Sequence, residues 1–147
     1  MASRHLSRSI VMQSLFEREF RSLSQKEIFE ILERNLKDFG EGIEDKEFPK
    51  RLLKGVLENQ KEIDSIIKKY ATKLPFEKIN PLDKSILRIG LYELLFADKK
   101  EVPPKVAINE AIELAKAFSN NSSRRFVSGL LGKVYERMKE NEKSRRT

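Results

Sequence analysis

Residues 80–96, N-P-L-D-K-S-I-L-R-I-G-L-Y-E-L-L-F, constrain the fold most. Asn80 and Pro81 make a strong helix start. Asparagine serves as the N-cap, proline occupies the first helical position, and Asp83 sits in the first turn, where the helix end is positive. Leu82, Ile86, Leu87, Ile89, Leu91, Leu94, Leu95 and Phe96 then leave little polar surface. A helix apolar nearly all round has to lie at the centre of its fold. Arg88 within it reads as a buried or half-buried cation paired to a carboxylate.

The rest of the chain supplies helices to pack around that centre. Residues 3–21 read as the first one. Leu6, Ile10, Phe16 and Phe20 fall on one face, and Val11 and Leu15 fall on the other, roughly in line with Arg4 and Arg8. Such a helix is packed on two sides, or is packed on one and docks a partner on the other. Ser24 with Glu27 three residues on is a capping-box pattern. The helix it opens carries Ile28, Leu32, Leu36 and Phe39 inward and stops at Gly40. From Phe48 to about Ala71 the helical spacing is sustained, as one long helix or as two with a break near Asn59. No strand-like alternation competes with these periods. The expectation is an all-α fold of six to seven helices, with residues 1–140 as a single domain and residues 141–147 as a basic flexible tail. A chain of 147 residues buries roughly 70% of its unfolded surface.

Two further helices are expected between Pro103 and Met138, joined by a polar corner, Ser119 to Ser123. Pro103-Pro104 suits a helix start. Ala107, Ala111 and Ala115 recur at four-residue spacing, which lets a neighbouring helix approach closely. Ser122 or Ser123 offers an N-cap for the second helix. Val127, Leu130, Leu131, Val134 and Met138 form its apolar stripe, with Gly129 and Gly132 among them. Each glycine costs about 1 kcal/mol against alanine, so tight packing or a close contact is expected there.

Composition removes whole classes of chemistry. The chain has no cysteine and one histidine, so disulfides, thiolate metal sites and zinc centres are not expected. Ser–His–acid catalysis would have to use His5, on a terminal turn. No glycine-rich phosphate cradle occurs. No enzymatic activity, metal or cofactor is expected. There is no long apolar run for a signal peptide or membrane span, and the cytoplasm is the expected compartment. The net charge of +7, from 30 basic and 23 acidic residues, fits a polyanion partner, nucleic acid above all.

Two basic clusters give that charge a place. Arg4, His5 and Arg8 lie within one sector of the first helix, where cations oppose the macrodipole and so are not there for helix stability. Arg124 and Arg125 stand beside Phe126 and shortly after Phe118. Cations on phosphates and aromatic rings on unpaired bases are the usual means of holding single-stranded RNA. On spacing alone Phe118 and Phe126 are either such platforms or core residues at helix ends.

The stretches K-V-A-I-N-E-A-I-E-L-A-K-A-F and S-x-x-F-V-x-G-L-L, with D-K-S-I-L-R-I-G-L-Y-E-L upstream, resemble the NusB family of bacterial transcription antitermination factors. The resemblance extends over essentially the whole chain and is most specific from Pro103 to Leu131. It implies two packed helical bundles sharing a central helix. It also implies binding of boxA-type single-stranded RNA through the basic first helix, matched here by Arg4, His5 and Arg8. The corner, matched by Phe118, Ser122, Arg125 and Phe126, completes that site. A protein partner is implied as well: NusE, a ribosomal protein, docking on Phe16, Asp83, Leu91 and Glu93 within the RNA polymerase antitermination complex. A homodimer is among the assemblies allowed. The chain departs from the family pattern at His5, where arginine is usual, at Leu6, which interrupts the basic run, at Ser122, often acidic, and at Ser128, usually asparagine. Rival readings are an accessory RNA-binding domain like that of certain rRNA cytosine methyltransferases, for whose catalytic domain 147 residues leave no room, and a helix-turn-helix DNA binder, against which the apolar stripe of the last helix weighs.

Overall fold

In the computed structural model of the protein, which describes residues 2–146, the chain forms seven α-helices and one short 3-10 turn. They are α1 (Ala2–Arg21), α2 (Gln25–Phe39), α3 (Glu47–Glu58), α4 (Gln60–Tyr70), α5 (Pro81–Leu95), α6 (Pro104–Phe118) and α7 (Asn121–Arg146), with the 3-10 turn at Phe76–Lys78. Among the described residues there is no strand, and no helix is long and apolar enough to cross a membrane.

Helix α5 is the centre that its sequence demands. Every residue from Asp83 to Leu91 is buried, as are Glu93 and Leu94, and the helix packs against α1, α3, α4, α6 and α7. Helices α1, α2 and α3 pack on one another, α6 packs on α7, and α4 touches both α3 and α7. The result is two bundles with α5 in common. Two glycines let neighbours close on it. A Cβ on Gly90 would lie 3.1 Å from Ala111 of α6 and from Leu131 of α7, and one on Gly55 would fall 2.2 Å from the Tyr92 ring.

Local signals explain the helix ends. The Ser24 hydroxyl accepts from the Glu27 N–H at 3.2 Å, and the Glu27 carboxylate accepts from the Ser24 N–H at 3.2 Å, which completes the capping box. The Asn80 side chain accepts from the Leu82 N–H at 2.8 Å. The helical run from 47 to 70 breaks at Asn59, whose side-chain amide donates to the Gly55 carbonyl at 2.8 Å. Arg88 forms a bidentate pair with Asp64, at 2.9 and 3.1 Å, and also bonds Glu19, tying α5 to α4 and α1.

Two expectations change. The cap of α7 is Asn120, whose side chain accepts from the Ser123 N–H at 2.9 Å, so the helix starts before Ser122 and Ser123. Phe39, the last residue of α2, overshoots its bundle and is 61% exposed. Phe20 is also exposed, its ring edge-on to Phe16 with centroids 4.8 Å apart. Residues 141–146 are the last turns of α7. Within that stretch Glu142 pairs with Lys99 at 3.4 Å. Met1 and Thr147 lie outside the described residues.

Candidate functional site

The corner between α6 and α7 is two residues long, Ser119 and Asn120. Besides its side-chain cap, Asn120 accepts from the Arg124 N–H through its backbone carbonyl at 3.0 Å. These bonds orient the first turn of α7. That turn places Ser122 and Arg125 outward, Arg124 at half exposure, and Phe126 half-buried against the core. Phe118, at the end of α6, is 42% exposed. Phe118 is therefore a free ring, and Phe126 is partly core and partly surface.

Beneath the corner lies a cleft of about 510 Å³, bordered by Tyr70, Lys73, Asp83, Ser122, Arg125 and Phe126 among others. Asp83 comes from the first turn of α5 and is only 7% exposed. The Ser119 hydroxyl donates to Ser123 Oγ at 2.7 Å, and Ser123 donates to Asp83 Oδ2 at 3.0 Å. Asp83 Oδ1 is buried without a partner. Burial pushes the Asp83 carboxyl above its ordinary value, with Ser123 pulling the other way. A buried carboxylate oxygen without a donor is unfavourable, so this one is poised to accept an N–H or O–H from outside.

The N-terminal cluster is built differently. Arg4 bonds Glu101 at 3.1 Å, and His5 meets Glu110 at 2.8 Å. Arg8 holds Glu93 in a bidentate pair at 2.9 and 3.0 Å, with Glu110 3.5 Å away. The Phe48 ring lies under Arg4 at 4.3 Å and Arg8 at 5.3 Å. Arg4 and His5 remain half exposed, but the Arg8 side chain is 3% exposed. Arg8, expected as an RNA contact, is thus a structural cation locked between helices α1 and α5. Burial pushes the Glu93 carboxyl up against the pull of Arg8.

By contrast, Arg124 and Arg125 have no carboxylate partner among the described residues, and neither does Lys133 beside the cleft. Their charge is available.

The expected protein-docking residues do not form one face. Leu91 is fully buried and Glu93 is bonded to Arg8, so both are core residues of the central helix and leave the docking list. Asp83 belongs to the corner cleft. Phe16 is half-buried on α1 beside the exposed Phe20. Tyr70, Lys73 and Lys133 at the cleft were missed from the sequence. Lys133 follows Gly129 by four residues and Arg125 by eight, a spacing that puts all three on one helical face. Lys73 lies in a connector, where no spacing rule applies. Among the described residues no cluster of His, Cys, Asp or Glu is placed to hold a metal.

The NusB family profile matches residues 5–136. A transcription antitermination protein NusB from Dehalococcoides mccartyi is 35% identical over 97% of this chain and 96% of its own length. The solved structure of NusB from T. maritima is 34% identical, with a TM-score of 0.77 over 90% of each chain. A crystal structure of antitermination factors NusB and NusE with double-stranded RNA shares the fold, with a TM-score of 0.79 over 92% of this chain and 98% of that one, at 24% identity.

Proposed function

The chain belongs to the NusB family of transcription antitermination factors, which are not enzymes, and on that premise we propose that it is a cytoplasmic RNA-binding adaptor. It holds boxA-type single-stranded RNA together with NusE and so helps the RNA polymerase antitermination complex resist premature termination. The observation that carries this reading is the corner. There, Arg124 and Arg125 have no carboxylate partner among the described residues, Phe118 is exposed at the end of α6, and Arg125 and Phe126 border a cleft that contains an unsatisfied acceptor on Asp83. Cations bind phosphates of any sequence, exposed rings stack on unpaired bases, and the Asp83 oxygen accepts only from a base or sugar that presents a donor.

Arg4 and His5 add to the same site. Glu110 of α6 bonds His5, and Ile112, two residues on, borders the hollow at Arg124, so α6 connects the two basic regions. For NusE the surface that fits is the aromatic end of α1, where Phe16 stands beside Phe20, 67% exposed. The two rings pack edge to face at 4.8 Å and so present one contiguous apolar spot rather than a lone side chain. Phe16→Ala is expected to weaken capture of NusE without loss of RNA binding by the isolated protein. A pull-down and an RNA titration on the same preparation check it.

The RNA reading is tested by titrating single-stranded boxA RNA, duplex RNA and duplex DNA at two salt concentrations. The single strand is expected to bind tightest, with affinity falling as salt rises. A duplex hides its base faces, so the rings add nothing to it. Equal or tighter binding to duplex DNA would overturn the proposal.

A further inference from the structure

Helix α7 carries two glycines, Gly129 and Gly132, that the fold does not need. Each weakens the helix by about 1 kcal/mol relative to alanine. Gly55 and Gly90 are explained by neighbours that leave no room for a side chain, yet a Cβ on Gly129 or Gly132 would meet nothing within 4 Å. Both face open space on the side of α7 opposite its core stripe.

That space has a shape. Gly129 borders the corner cleft and also a hollow of about 400 Å³ beside Arg124 and Ser128. Gly132 borders a third hollow of about 720 Å³, with Lys69, Tyr70, Lys133 and Arg137. The cleft shares Tyr70 and Lys133 with this last hollow, and Arg125 and Gly129 with the other. Together they form one trough along α7, about 18 Å from Arg125 to Arg137 at 1.5 Å per residue. Its carboxylates stand at the ends. Asp83 is at the corner, and Glu136 and Glu140 are at the far end, paired with Lys139 at 3.1 Å and with Arg137 at 3.5 Å. Lys69 and Lys133 in the middle have no carboxylate partner among the described residues. The unpartnered Asp83 oxygen marks the corner end of the trough as the place where a ligand enters.

We infer that the RNA path does not end at the corner but continues along the glycine face of α7. The sugar–phosphate backbone of the same single strand lies closest to the helix at Gly129 and Gly132, with Lys69 and Lys133 on its phosphates. The missing side chains let the strand approach the helix surface, as glycines do where a backbone meets a ligand. This inference rests on the RNA-binding reading above and extends it by a second segment of strand.

The test uses the full chain, with and without NusE. The probes are a boxA RNA and the same RNA with an oligouridine extension at either end. Gly132→Leu meets no protein atom at its Cβ and gains helix propensity, so its melting temperature is expected to stay or rise. It should bind the extended RNA several-fold more weakly than wild type and the short RNA equally well. Lys133→Ala should lower the salt slope on the extended RNA by about 0.7, one phosphate contact on a single strand. If both variants bind extended RNA like wild type while Arg125→Ala binds it more weakly, the α7 path is wrong and the corner site stands. If wild type binds neither RNA at any salt, with or without NusE, the RNA reading falls and this inference falls with it.

Discussion

The two basic regions look alike in sequence and differ in what surrounds them. Arg4, His5 and Arg8 are met by Glu101, Glu110 and Glu93, and the aromatic beneath them, Phe48, is buried. Arg124 and Arg125 are met by no carboxylate among the described residues, and the aromatic beside them, Phe118, is exposed. A cation a few ångströms from an anion presents little field beyond the pair, whereas an unpaired one at the surface attracts any phosphate that approaches. The formal charge of +7 is therefore not spread over both clusters. Arg8 holds the bundles together, Arg4 and His5 stay half exposed beside their carboxylates, and the corner cations are the more open to a partner.

The largest effect that could break this contrast is at Arg8. Arg8→Ala strands Glu93 in the core, so a loss of about 3–5 kcal/mol of stability is expected. Denaturant unfolding measures it. Arg8→Met combined with Glu93→Leu should regain most of that loss, because the uncompensated charge is gone. A folded Arg8→Ala protein with normal stability and poor RNA binding would reverse the assignment of the two regions.

Next is Phe126→Ala. Removing a stacking ring is expected to reduce RNA affinity by about 1–3 kcal/mol. Since the ring is only half-buried, the stability loss should fall short of the ~3–5 kcal/mol of a fully buried phenylalanine. Melts and RNA titrations on one sample separate the two. A smaller effect is predicted for Arg125→Ala. Its melting temperature should match wild type, and the salt slope on single-stranded RNA should fall by about 0.7. An unchanged slope would place the phosphate contacts elsewhere.

The smallest effect concerns Asp83. Its folded-state pKa is raised by burial, so folding penalises the charged carboxylate relative to the unfolded chain. Stability from this group is full below its unfolded value near 3.9 and is lost as pH climbs through the raised folded value. Asp83→Asn keeps an acceptor for Ser123 and removes the buried anion. A melting temperature a few degrees above wild type is expected at neutral pH, with the gap closing in acid. An equal gap at all pH values would mean that the carboxylate is not the source.

Much of the fold was legible because its signals are local. The capping box at Ser24 and Glu27, the start at Asn80-Pro81 and the all-round apolarity of α5 each depend on residues within a few positions of one another. So did the expectation that Arg88 would be paired. The state of the other cations was not legible, since Arg8 and Glu93 lie 85 positions apart and His5 and Glu110 lie 105 apart. No pattern within α1 distinguishes a cation with a distant carboxylate from one without. The same distance hid Asp83. Its place in the first turn of α5 was readable, but its position under the α6–α7 corner, 40 residues away at Ser123, was not. Phe39 was misplaced for a simpler reason: helical spacing names a face but not how far a bundle extends along it.

Sharing α5 between two bundles has a consequence for how the molecule comes apart. Neither bundle can release that helix without exposing the apolar surface of the other. Unfolding is therefore expected as a single transition, with calorimetric and van't Hoff enthalpies in agreement. Amide protons of α5 should exchange only through global opening, while those at the end of α7 exchange by fraying. A lesion in the N-terminal network would then be felt in full by the corner, because both draw on one reservoir of cooperativity.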